Sequence, residues 1–101
     1  MITINSEQQI IIDYLALSNE LKYNTIKAAE EFSELCTVLL QKSLKDYKVP
    51  DQEVIDEIGD CIIRLEILKK LFDQKKIQER VDYKLSKFAE YIKENKYLNH
   101  I

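Results

Sequence analysis

Apolar and polar positions along the chain fall into four stretches with helical period. The first spans about Ser6 to Leu17, where Ile10, Ile11, Tyr14, Leu15 and Leu17 are expected to form the apolar side. Ser6 followed by Gln9 has the form of a capping box, in which each side chain satisfies a free backbone N–H. The pattern lapses between Ser18 and Asn24, and Asn19 or Asn24 is placed to cap the next helix. A second helix is expected over about Thr25 to Leu44, with Ala28, Phe32, Leu35 and Leu39 three and four apart. Lys45 to Pro50 reads as a loop, and Pro50 suits the first turn of a helix, where its missing N–H costs nothing. The third helix, about Asp51 to Phe72, carries Val54, Ile58, Cys61, Leu65, Leu68 and Leu71 at helical spacing. Its early acids, Asp51 and Glu53, and its late bases, Lys69 and Lys70, match the helix dipole. The phase shifts near Asp73 and Gln74, and a fourth helix is expected to about Asn95, burying Val81, Leu85, Phe88 and Ile92. Lys96 to Ile101 reads as a tail.

This order predicts an all-α fold: one helical domain over residues 1–95, with a shorter N-terminal helix and three long ones in a bundle, and a tail over 96–101. One Gly and one Pro in 101 residues leave little material for the turns of a sandwich or barrel. The long helices are apolar over arcs too wide for one small chain to cover, so a homodimer or homotetramer is expected.

Composition then narrows the function classes. A net charge of −3 gives no basic field for nucleic acid, and the lysine pairs Lys69–Lys70 and Lys75–Lys76 read as solvated helix ends. No apolar run approaches the roughly 20 residues that cross a membrane. The N-terminal stretch lacks the pattern of a signal peptide, so a cytoplasmic location is expected. Cys36 and Cys61 have no Cys or His partner at ligand spacing and are expected to be buried free thiols. The only histidine, His100, lies in the tail.

The residues that carry chemistry are acidic. Glu31 and Glu34 are three apart on the second helix, and Glu57 and Asp60 repeat that spacing on the third. At about 100° per residue, each pair shares a face. Two such helices side by side bring four carboxylates into one volume, where each opposes the ionisation of the others. A hard divalent cation relieves that repulsion, and Mg²⁺ is the usual occupant when phosphate supplies further oxygens. The plainer reading is a solvated acidic face. Against it, Leu35 and Val38 share the Glu31–Glu34 face, while Cys61, Leu68, Ile63 and Ile67 border Glu57 and Asp60. A di-iron or di-manganese redox site would need Glu-x-x-His pairs, which are absent here; all-oxygen ligation points to Mg²⁺, with Mn²⁺ as a substitute.

Glu30-Glu31-Phe32-Ser33-Glu34 followed by Glu57-Ile58-Gly59-Asp60 resembles the E-E-x-x-E and E-x-x-D motifs of the MazG-like all-α nucleotide pyrophosphohydrolases. The stretch from Val54 to Phe72 is similar to the third helix of short members found in phages and their hosts. Lys84 and Lys87 resemble the basic pair on the family's last helix. The similarity covers about Ile26 to Ile92. It implies Mg²⁺-dependent hydrolysis of a nucleoside triphosphate between the α and β phosphates, to the monophosphate and pyrophosphate. Glu31, Glu34, Glu57 and Asp60 would then hold the metal, Glu30 would support the site, and Lys84 and Lys87 would meet the phosphates. The resemblance places the base between the first helix and the start of the second, with Tyr14, Asn24 and Lys27 as candidates, and leaves its identity open. Two other classes compete: a nucleotide-binding regulator of the same fold with little catalysis, and a plain helical oligomerisation module.

Overall fold

The computed structural model describes residues 2–45 and 48–94. It contains four helices, α1 (Ser6–Ser18), α2 (Leu21–Leu44), α3 (Asp51–Leu71) and α4 (Gln74–Lys93), and no strand among the described residues. The all-α expectation holds. By its internal contacts the chain divides into two units, Met1–Leu71 with α1 to α3, and Phe72–Ile101 with α4. The expected tail, His100 and the middle of the 45–50 loop lie outside the described residues.

The start of α1 is capped one residue earlier than the sequence suggested. Asn5 is extended (φ −80°, ψ 173°); its Oδ1 accepts from the Gln8 N–H at 2.8 Å, and Gln8 Oε1 accepts from the Asn5 N–H at 2.9 Å. Ser6 is already helical, and Gln9 instead donates to Asp13 at 2.9 Å. Asparagine's short carbonyl arm reaches the third N–H as well as serine does, so both frames looked alike in sequence.

The break after α1 is shorter than expected. Only Asn19 and Glu20 separate α1 from α2, and neither asparagine caps α2, whose N-cap Glu20 makes no side-chain capping bond. Both face backwards. Asn19 Nδ2 donates to the Leu15 carbonyl at 3.2 Å, while the buried Asn24 donates to the Leu15 and Ala16 carbonyls at 3.4 and 3.5 Å. These carbonyls end α1 without an intrahelical partner, which makes them the better acceptors.

Contacts at two levels set the direction of α2 against α3. Lys42, late in α2, reaches the Val49 carbonyl at 3.0 Å and Asp51 at 2.9 Å, while Cys61 reaches the Glu31 carbonyl at 3.3 Å. The two helices are therefore antiparallel. Pro50 directly precedes α3, and its carbonyl accepts from Glu53 N–H at 3.1 Å.

The core differs from the predicted faces. On α1, Ile12 and Ala16 are buried against Ile67 of α3, with Ile4, Leu15 and Leu71 packed around them. Ile10, Ile11, Tyr14 and Leu17, expected on the buried side, are exposed. Full burial of a side chain such as Ile67, 1% exposed, stabilises by about 1.5–3 kcal/mol. An ion pair between Lys70 and Asp13 at 3.2 Å holds the same pair of helices at the edge. Ile58 and Leu65 of α3 and Leu39 of α2 are also exposed. Beside the core, Ile4, Gln8, Ile11, Ile12, Leu15 and Ile63 line an apolar cleft of about 190 Å³.

In the second unit, Asp73 caps α4 by accepting from Lys76 N–H at 3.1 Å. The helix buries none of its residues. Val81, Leu85 and Ile92 are exposed and Phe88 is half-buried, so among the described residues the buried face expected for them is not seen. Among the described residues, no helix is long and apolar enough to cross a membrane.

Candidate metal centre

The antiparallel contact of α2 with α3 sets the acidic pairs face to face. Carboxylate oxygens of Glu31, Glu57 and Asp60 lie within 4.8 Å of one another. Glu31 and Glu57 are half-buried, and one oxygen of each, Oε2, is shielded from solvent and accepts no hydrogen bond. A shielded carboxylate oxygen without a donor is costly, and like charges beside it raise the cost.

The electrostatics agree with that geometry. Burial, then the charges of Glu34 and Asp60, push the Glu31 carboxyl above its ordinary range, partly opposed by Arg64. Burial also raises Glu57, followed by repulsion from Glu34, Asp60 and Glu31. Glu34 is exposed and stands outside the tight group of three, yet its charge acts on both of these partners. All four predicted acids thus belong to one electrostatic cluster, three of them within reach of a single ion.

Glu30 does not join them. It is exposed and pairs with Lys27 at 3.2 Å. It lies about 100° round the helix from Glu31. Lys27 also lies over the Tyr23 ring, 5.8 Å from its centroid. Of the other base-site candidates, Tyr14 is exposed, and Asn24 is 1% exposed with its Nδ2 spent on α1 and its Oδ1 without a donor. Lys84 and Lys87 lie on α4, in the second unit. Lys84 sits 5.2 Å from the Phe88 ring centroid; Lys87 sits 5.7 Å from that of Tyr83 and 3.7 Å from Glu90.

The two cysteines part company. Cys36 is exposed, contrary to expectation, because it lies about 140° round α2 from Glu31 and so away from α3. Cys61 is buried, one turn beyond Glu57, and its Sγ donates to the Glu31 carbonyl at 3.3 Å. Burial, then the charges of Glu31, Glu57, Asp60 and Glu34, push its thiol up. Sequence reading found Cys61 as core but not this bond between the helices, and it passed over Arg64 beside the acids. Arg64 could have been found: it follows Asp60 by four residues, on the same face.

The donor set suits a hard cation. It consists of carboxylate oxygens alone, and one oxygen each of Glu31 and Glu57 is orphaned. Among protein-family models, curated proteins and solved structures, none matches this chain.

Proposed function

We propose that the chain is a Mg²⁺-dependent nucleoside triphosphate pyrophosphohydrolase of MazG-like type, cleaving between the α and β phosphates to give a monophosphate and pyrophosphate. One observation carries the reading: oxygens of Glu31, Glu57 and Asp60 converge within 4.8 Å, with two shielded oxygens unsatisfied. The motif resemblance of Glu30 to Glu34 and Glu57 to Asp60 supplies the reaction class.

Glu31, Glu57 and Asp60 would hold Mg²⁺, with Glu34 completing the negative field. When bound, the ion supplies charge neutralisation, orientation of phosphate oxygens and a lowered pKa for coordinated water. The chain's own residues then divide the remaining work. Cys61 ties the Glu31 backbone to α3 and so keeps the two acidic pairs in register. Lys84 and Lys87 are the residues proposed to offset phosphate charge, and Tyr14, Asn24 and Lys27 remain the candidates for the base. The exposed apolar residues of α4 and α1 support a homodimer or homotetramer as the working form.

The test is incubation with a panel of ribo- and deoxyribonucleoside triphosphates and Mg²⁺, reading pyrophosphate release. At least one nucleotide is expected to yield pyrophosphate well above a Glu57→Gln control. Release of orthophosphate alone, or no release beyond the control from any nucleotide, would sink the proposal.

A further inference from the structure

Beside the acids stands a cation that the four-carboxylate site does not use. Arg64 follows Asp60 by four residues and Glu57 by seven, so all three project from one side of α3. The register fixed by Lys42 with Asp51 and by Cys61 with Glu31 sets Arg64 opposite Ala28, close to the level of Lys27. It therefore sits at the Glu31 end of the cluster, toward the junction of α1 and α2.

Its bonding is unusual for that position. Arg64 is half-buried, yet among the described residues it makes no hydrogen bond and no ion pair within 4.0 Å. Its charge is felt at Glu31, so it is near the acids without being consumed by them. Lys27, the neighbouring cation, is already paired with Glu30. A guanidinium presents five N–H donors in a rigid fork, and partial burial makes unused donors costly. The ligand that fits both the fork and a metal held by carboxylates is a phosphate, whose oxygens can bridge the two.

We propose that Arg64 is a phosphate-binding residue, forking onto the polyphosphate of the substrate at the Glu31 end of the metal site. This rests on the pyrophosphohydrolase reading above. It defines which end of the acidic cluster the phosphate chain enters.

Calorimetric titration separates the two claims, using Mg²⁺ alone and then inorganic tripolyphosphate in saturating Mg²⁺, on the wild-type chain, Arg64→Gln and Arg64→Lys. The wild type is expected to bind tripolyphosphate only with Mg²⁺ present. Arg64→Gln should weaken that binding tenfold or more, while its affinity for Mg²⁺ alone stays the same or rises, since a repelling charge has gone. Arg64→Lys, which keeps the charge but loses the fork, should fall between them and also covers the case in which Gln disturbs folding. If both variants bind tripolyphosphate within twofold of wild type while Mg²⁺ still binds, the Arg64 proposal fails and the enzyme reading stands. If the wild type binds no Mg²⁺, both fall together.

Discussion

Adding Mg²⁺ should stabilise this protein by an amount that can be worked out in advance. The ligand oxygens all come from α2 and α3, so the unfolded chain offers no assembled site and the ion binds the folded state selectively. At a free Mg²⁺ concentration ten times Kd, linkage gives a stabilisation of about 1.4 kcal/mol. The site lies wholly in the unit Met1–Leu71. In a domain of that size each kcal/mol moves the melting temperature by about 4–8 °C, so the expected rise is about 6–11 °C. Each further tenfold increase in Mg²⁺ should add about the same again. Circular dichroism melts of EDTA-treated protein across a Mg²⁺ series, with NaCl at matched ionic strength as control, measure this. Asp60→Asn removes one of the three converging carboxylates and should abolish most of the rise. A flat response in the wild type, an equal response to NaCl, or an undiminished response in Asp60→Asn would show that the acids are an ordinary charged face.

Two other outcomes follow from the same contacts. Glu31 and Glu57 titrate above the ordinary Glu value of 4.5 in the folded state, so the stability tied to them is fully present below 4.5 and is lost as pH rises through their folded values. Asp13, held down first by Gln9 and also by Lys70, and Asp51, held down by Lys42, act oppositely: they stabilise above 3.8 and lose that contribution as pH falls through their folded values. Urea unfolding in EDTA should therefore show stability rising on mild acidification toward 4.5 and falling below 3.8, with the first trend suppressed by Mg²⁺; a steady increase from pH 4.5 to 7 without metal would contradict the assignment. In the core, Ile67→Ala removes a side chain only 1% exposed from its contacts with Ile12 and Ala16, and denaturant melts should show a loss of about 2–5 kcal/mol. A loss under about 1 kcal/mol would mean that the site collapses freely or that this cluster is not the core.

Much of this architecture was legible in the sequence because helical period is a local signal. The ends of α2, α3 and α4 fall within a few residues of the predicted ones, and the spacing of Glu31, Glu34, Glu57 and Asp60 announced their shared faces. Which apolar face is buried was not legible on α1. Ile10 and Ile11 are as hydrophobic as Ile12, and only the position of Ile67 on another helix selects Ile12 and Ala16. Asn24 misled for a related reason: a residue that caps helix starts can also bond the end of the preceding helix, and the choice depends on how α1 and α2 meet. Arg64 was passed over because a base four residues from an acid on a helix is an ordinary pattern that singles out neither residue. The structure leaves that pair open among the described residues, and the open fork is the informative part.

The central claim is that the acids of α2 and α3 form one metal site, and anomalous scattering locates a metal directly. Crystals grown with Mn²⁺, which shares the oxygen-ligand chemistry of Mg²⁺, should show a strong anomalous peak among the Glu31, Glu57 and Asp60 carboxylates that is lost in Glu57→Gln. No peak at saturating Mn²⁺, or peaks only at scattered surface acids, would contradict the account.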